Sequence, residues 1–153
     1  MLEKYVEDLD AGKFTASYAK KKGITIKKAL AEFYKKIPRE SYYQDKIKKA
    51  LTRKYPDAFV RKISQGAYSE AGTPDIMCIY QGHYFGFEIK RPIIGKPTRL
   101  QIRTIELIRK AGGTAACVSW PEEAIRMVEE WRFIAGELPW ITEGGKDGET
   151  STI

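Results

Sequence analysis

The spacing of apolar residues predicts helices in the first third of the chain. Thr25 can cap a helix that Pro38 ends, and its apolar positions recur at helical spacing: Ala29, Leu30, Phe33, Tyr34 and Ile37. A second helix is predicted from its cap Ser41 to a stop at Pro56, with Ile47 and Leu51 on its apolar side. Residues 1–38 are predicted to be a basic helical extension, and 39–141 a separate domain. The polar, Gly-rich stretch 142–153 is expected to be disordered.

Strand patterns dominate the middle of the chain. Residues 58–63 alternate as a strand does, and a hairpin follows, with strands 75–80 and 84–91 around a turn at Gln81, Gly82 and His83. A helix from the cap Thr98 to Lys110, a strand over 114–119 and a last helix opened by Pro121 complete the order. Strand, helix and strand in succession imply a parallel pair. The predicted fold class is therefore α/β, a small mixed β-sheet flanked by helices, with an N-terminal helical extension.

The hairpin brings three charged side chains together. If the turn is centred between Gln81 and Gly82, Asp75 lies directly opposite Glu88, and opposed residues share a face of the sheet. Lys90 lies two residues beyond Glu88 and therefore points to that face as well. A register slip of one residue would separate the three side chains.

Two carboxylates so close repel each other unless a cation lies between them. Mg²⁺ prefers hard oxygen ligands, and it lowers the pKa of bound water in phosphate chemistry. Lys90 could hold the attacking water or a phosphate oxygen. The alternative is a surface cluster in which Lys90 only pairs with Glu88.

The ordered motifs of this region resemble the VRR-NUC branch of the PD-(D/E)xK nuclease superfamily. The core motif is matched by Pro74-Asp75 and Glu88-Ile89-Lys90. The further matches are Glu40 to Gln44, the Gly72-Thr73 that precedes Pro74, Gly95 to Thr98 with Gln101, and Gly112-Gly113. The resemblance covers about residues 39–131 and implies a restriction-endonuclease-like core.

The resemblance also implies residue roles. Asp75, Glu88 and the backbone carbonyl of Ile89 would bind Mg²⁺ or Mn²⁺, and Glu40 would add a carboxylate directly or through water. Lys90 would orient or activate the water. Gln101 would support the site or contact the scissile phosphate, and Gln44, one turn after Glu40, would assist.

The charge of the chain favours a polyanionic partner. The formal net charge is +7, and the excess of basic residues lies within residues 1–70. Arg91, Lys96, Arg99 and Lys62 flank the site and are predicted, with Gln44, to contact DNA, although several of the basic residues belong to an ordinary solvated face. Tyr68 and Ser69, on the loop before Asp75, are weaker candidates for substrate contact.

Other features narrow the class of protein. Cys78 and Cys117 lie in apolar runs and are expected to be reduced, as in a cytoplasmic protein of bacterial or phage origin. One histidine and no CxxC motif argue against a zinc cluster. No apolar run is long enough to span a membrane.

The leading hypothesis is a metal-dependent DNA endonuclease. The resemblance implies a homodimer that cuts branched DNA such as Holliday junctions. A sequence-specific or nicking nuclease of phage type is the second hypothesis, and a non-catalytic DNA-binding regulator is the third.

Overall fold

The computed structural model describes residues 13–63 and 70–137. Three helices precede a sheet whose last two strands are joined by a fourth helix, and a fifth helix follows. In chain order the elements are α1 (Lys13–Lys22), α2 (Ile26–Lys36), α3 (Glu40–Lys54), β1 (Phe59–Lys62), β2 (Ile76–Tyr80), β3 (His83–Ile89), α4 (Arg99–Lys110), β4 (Thr114–Val118) and α5 (Pro121–Glu137).

Helix boundaries follow local chemistry, with one exception. Thr25 caps α2 as predicted, since its hydroxyl accepts a hydrogen bond from the Lys28 amide. The predicted cap of α3 is wrong: α3 begins at Glu40, so Ser41 lies inside its first turn and Arg39 occupies the cap position without a side-chain bond. Ile37 is extended because it precedes Pro38, and α2 therefore ends before it.

The sheet has four strands in the order β1-β2-β3-β4, antiparallel except for the parallel pair β3–β4. The predicted class of a mixed α/β sheet flanked by helices is therefore confirmed. The predicted hairpin register is confirmed as well, because Ile76 pairs with Phe87 and Met77 with Gly86. Gln81 and Gly82 have φ of 48° and 78°, as a two-residue type I′ turn requires. His83 pairs with Tyr80 at the start of β3 rather than lying in the turn.

One face of the sheet carries the hydrophobic core. Helices α3 and α5 pack on this face. The residues that meet there are Val60, Ile76, Cys78, Phe85, Phe87 and Ile89 from the first three strands, Val118 from β4, Tyr43, Ile47 and Leu51 from α3, and Ala124 and Val128 from α5. Phe33 and Ile37 from the N-terminal segment join the same cluster.

The opposite face carries Asp75, Glu88 and α4. Gly72, with a φ of 91°, lies against α4, and an added Cβ would approach the Leu100 side chain within 2.9 Å. The loop that leads to Asp75 is thereby fixed against the helix on this face. Helix α4 packs on β3 and β4.

The structure bears on some of the remaining sequence predictions and leaves others untested. Cys78 and Cys117 are free thiols, as expected. Over the two described ranges, no helix is long and apolar enough to cross a membrane. The boundary between residues 38 and 39 stays a prediction, and the tail 142–153 lies outside the described residues.

Candidate active site

Asp75 is fixed at the point where β2 begins. Its backbone carbonyl accepts a hydrogen bond from the Ile63 amide at 2.7 Å, and its carboxylate Oδ2 accepts one from the Ile89 amide at 2.8 Å. By the observed register it lies one pair beyond Ile76 and Phe87, opposite Glu88. The side chain is only 5% exposed. Asp75 is thus held by backbone groups from both neighbouring strands.

Glu88 is the most deeply buried charged residue of the site, at 1% exposed. It lies in β3, opposite Cys117 of β4 on one side and Asp75 on the other. Its Oε1 accepts hydrogen bonds from Lys90 Nζ at 2.7 Å and from Gln101 Nε2. Its Oε2 is buried and has no hydrogen-bond partner among the described residues. A buried polar atom without a partner costs free energy, so this oxygen is the unusual atom of the site.

Burial shifts the protonation equilibria of the site. Burial raises the pKa of Glu88 to about 7; the hydrogen bond from Lys90 opposes this shift, and the charges of Asp75 and Glu40 add to it. Burial also disfavours the charged form of Lys90, but attraction by Glu88, Glu40 and Asp75 outweighs it and raises the pKa of the ammonium. The pKa of the Cys117 thiol is raised by burial and by Glu88. The carboxyl groups of the site therefore carry more negative charge than the ammonium of Lys90 neutralises.

Glu40 reaches the site from α3. Its Oε2 lies 3.9 Å from Lys90 Nζ, at the outer limit of an ion pair. Gln44, one turn later on the same helix, is half-buried, and within the described part of the chain it has no hydrogen bond to the other site residues. The structure thus brings Glu40 to the cluster through Lys90, and among the described residues it gives Gln44 no hydrogen bond there.

Gln101 connects Glu88 to the N-terminus of α4. Its Oε1 accepts a hydrogen bond from the Thr98 amide at 2.8 Å, while the Gln101 amide donates to the Thr98 hydroxyl at 3.2 Å. This reciprocal pair is a capping box. The remaining donor of the Gln101 side chain, Nε2, binds Glu88. One residue therefore caps the helix and fixes the buried carboxylate.

The donor set fits a hard divalent cation. The unpartnered Oε2 of Glu88 and the Asp75 carboxylate supply oxygen atoms from one face of the sheet. In an extended strand the N–H and C=O of one residue point to the same side, so the Ile89 carbonyl is directed toward Asp75, as the Ile89 amide is. Over the residues that the structure describes, no three His, Cys, Asp or Glu side chains form a complete metal cage. Water would therefore complete the coordination, as is usual for Mg²⁺.

The basic residues predicted to contact DNA differ in their surroundings. Lys96 and Arg99 are exposed next to the site. The Arg91 guanidinium instead donates to the carbonyls of Pro38 at 2.8 Å and Ile37 at 2.5 Å, which gives it a role inside the protein. Tyr68 and Ser69 lie outside the described residues.

The sequence prediction that Lys62 flanks the site is wrong. Lys62 pairs with Ile76 and therefore points to the core face of the sheet, where its ammonium lies 3.5 Å from Asp45 of α3. Arg61, its neighbour, pairs with Met77 and shares the face of Asp75 and Glu88. The alternation of strand residues could have shown this difference, but only with the β1–β2 pairing known.

Comparisons with known proteins give one structural similarity. No protein-family model matches the chain, and no curated protein matches it. A solved structure described as a "VRR_NUC domain" is similar, with 25% sequence identity and a TM-score of 0.47, over 58% of this chain and 97% of that chain. Its description names the family that the sequence motifs resemble.

Proposed function

We propose that this chain is a divalent-metal-dependent DNA endonuclease whose active centre is formed by Asp75, Glu88 and Lys90. The observation that carries the proposal is the buried, unpartnered Oε2 of Glu88, next to a second buried carboxylate. A fold does not retain two buried acids and an unsatisfied oxygen for stability, because both cost free energy. A bound Mg²⁺ or Mn²⁺ would compensate both.

Each residue has a separate task in this proposal. Asp75, Glu88 and the Ile89 carbonyl would hold the metal, and its chemistry there is to lower the pKa of a water and to neutralise charge on a phosphate. Lys90 gives one N–H donor to Glu88 Oε1, which leaves two donors for a phosphate oxygen or a water. Gln101 keeps the Glu88 carboxylate oriented, and Glu40 would attract the Lys90 ammonium at the outer limit of an ion pair.

DNA is the proposed substrate because the chain has a formal net charge of +7 and exposed basic residues beside the site, Lys96 and Arg99. The preference for branched DNA and the homodimer are proposed from the motif resemblance. Two symmetric cuts in a four-way junction require two active sites, which a twofold dimer supplies.

Cleavage of end-labelled DNA tests the proposal. Linear, nicked, flap and four-way-junction substrates are incubated with Mg²⁺, with Mn²⁺ and with EDTA. Metal-dependent cutting with faster cleavage of branched substrates is expected. Cleavage that continues in EDTA would contradict the metal requirement, and binding without any cutting would instead support a DNA-binding regulator.

Isosteric variants locate the active centre. Asp75→Asn, Glu88→Gln and Lys90→Met are expected to reduce the cleavage rate by at least about 100-fold. The first two remove a charge that would hold the metal, and the third removes the donor to the water or the phosphate. Glu106→Gln and Lys110→Met change the same charges at exposed positions of α4 and are expected to cut as wild type does. Wild-type rates in Asp75→Asn or Lys90→Met would refute the assignment.

A further inference from the structure

The face of the sheet that carries Asp75 and Glu88 is only half covered by a described helix. Helix α4 packs on β3 and β4, whereas the β1–β2 half of this face carries two exposed apolar side chains. Phe59 is 47% exposed and Ile79 38% exposed, and the two residues are directly opposite each other in the register. The half that no described helix covers is therefore an apolar surface that continues from the proposed active site.

Arg61 places a positive charge on this surface. Its guanidinium lies 4.6 Å from the centroid of the Phe59 ring, and its Nη1 donates to the Val60 carbonyl at 3.2 Å. In the part of the chain that the structure describes, no carboxylate pairs with Arg61, whereas Lys62 and Lys90 both have acidic partners. Stacking on an aromatic ring leaves the edge of a guanidinium free to donate hydrogen bonds.

The register places this pair close to the active centre. Arg61 pairs with Met77, two residues along β2 from Asp75 and one strand away. Strand geometry puts the Cα atoms of Arg61 and Asp75 about 8 Å apart. An arginine side chain at that position can reach the DNA phosphate next to the scissile one, which would lie at the metal proposed for Asp75 and Glu88.

We infer that Phe59 and Arg61 form a binding platform for the DNA strand adjacent to the scissile phosphate, with Arg61 on a backbone phosphate and Phe59 against an unstacked base. This inference rests on the proposed nuclease function and adds two residues that contact the substrate. DNA fits the surface better than a second copy of the chain does, because an arginine with no carboxylate partner among the described residues, in a chain of net charge +7, favours a polyanion. Arginine and aromatic side chains together are the usual means of holding unpaired strands.

Binding without cleavage tests the role of Arg61. The anisotropy of a labelled flap duplex is measured in EDTA at several salt concentrations. Arg61→Ala is expected to weaken binding about tenfold and to lower the slope of log affinity against log salt by about one. Lys62→Ala removes the same charge from the adjacent residue on the opposite face, and it is expected to keep both values. Binding of Arg61→Ala within twofold of wild type, or an equal loss in Lys62→Ala, would overturn the inference.

A second pair of variants tests the base contact. Phe59→Ala is expected to weaken binding of the flap duplex by roughly tenfold and to change binding of a linear duplex much less, because only the flap offers an unstacked base. Phe133→Ala removes a ring that is 69% exposed on α5 and serves as the matched control. Equal losses on both DNAs, or a change of oligomeric state in Phe59→Ala by light scattering, would contradict the platform.

Failure of the inference and failure of the proposed function give different results. If wild type binds DNA but never cuts it, the nuclease proposal fails while the binding platform is still measured. If Asp75→Asn abolishes cutting while Phe59→Ala and Arg61→Ala bind as wild type does, the nuclease proposal stands and the platform is refuted.

Discussion

Glu88 combines near-complete burial with a carboxylate oxygen that has no partner in the described structure. Without metal, the simplest way to lower the cost is to take up a proton, and the pKa of about 7 expresses that tendency. The hydrogen bonds from Lys90 and Gln101 satisfy only the other oxygen. On the proposed function, the residue is therefore tuned for a cation ligand at the expense of the metal-free fold.

This tuning predicts a pH dependence of stability in metal-free protein. The folded-state pKa of Glu88 lies above its ordinary value of 4.5, so between these two values the folded state binds more protons than the unfolded state. The free energy of unfolding should therefore fall as the pH rises from about 4.5 to about 7, by up to about 3 kcal/mol from this group. Urea unfolding in EDTA across this range measures the slope.

Glu88→Gln provides the comparison for that measurement. Glutamine cannot titrate, so its unfolding free energy should lose most of the decline over the same pH range. Glu106→Gln, at an exposed position, should keep the wild-type slope. An unchanged slope in Glu88→Gln would show that other groups cause the dependence.

Helix α4 supports the proposed active centre through its first turn. Thr98 and Gln101 form a capping box, and Gln101 continues from it to Glu88. The sequence predicted the cap at Thr98 correctly because capping depends on residues three positions apart. It could not predict the hydrogen bond from Gln101 to Glu88, which depends on how the helix packs over β3.

The difference between local interactions and tertiary packing also explains which other features the sequence could predict and which it could not. The hairpin register was predictable because a two-residue turn and strand alternation fix it locally. The predicted contact of Arg91 with DNA stays a prediction, but its hydrogen bonds to carbonyls more than 50 positions away could not be read from any local pattern. The face of the sheet to which Lys62 points likewise depends on the pairing of two separate strands, β1 and β2.

Removing the Thr98 cap should show whether the cap acts on the stability of α4 alone or also on the geometry of the site. Thr98→Ala is expected to lower the free energy of unfolding by about 1 kcal/mol, because the Gln101 backbone amide loses the Thr98 hydroxyl that it donates to. The bond from the Thr98 amide to Gln101 Oε1 is kept, so cleavage should slow only because the loosened first turn positions the Gln101 side chain less well. Thr25→Ala removes the cap of α2, which is remote from Glu88, and should cost similar stability without slowing cleavage. Equal cleavage rates in the two variants would mean that the cap does not orient Gln101.

Arg91 joins the end of β3 to the segment that precedes α3. Its two carbonyl partners lie just before Glu40, so Arg91→Ala should release Glu40 from Lys90 and lower kcat. A residue that acts inside the protein should leave the salt dependence of DNA binding unchanged, whereas Arg99→Ala should reduce the slope by about one. A reduced slope in Arg91→Ala would instead support its predicted role as a DNA contact.

At the scale of the whole molecule, helix α2 and the residue that follows it are part of the core that supports the candidate site. Phe33 and Ile37 pack in the same apolar cluster as Tyr43 of α3. Tyr43 in turn contacts Trp120 edge to face, with ring centroids 5.6 Å apart, at the end of β4. Continuous packing from α2 to β4 predicts that these elements unfold together, whereas the sequence predicted a separate extension over residues 1–38.

Phe33→Ala tests this continuity. The variant removes a buried ring and is expected to lower the free energy of unfolding by about 3 kcal/mol. If α2 belongs to the core, tryptophan fluorescence and far-ultraviolet circular dichroism should both report one transition, shifted to lower urea. Phe133→Ala, an exposed ring on α5, should leave the midpoint in place. An early loss of helix signal with an unshifted fluorescence transition would instead make the N-terminal helices an independent unit, and the predicted boundary at residue 38 would then hold.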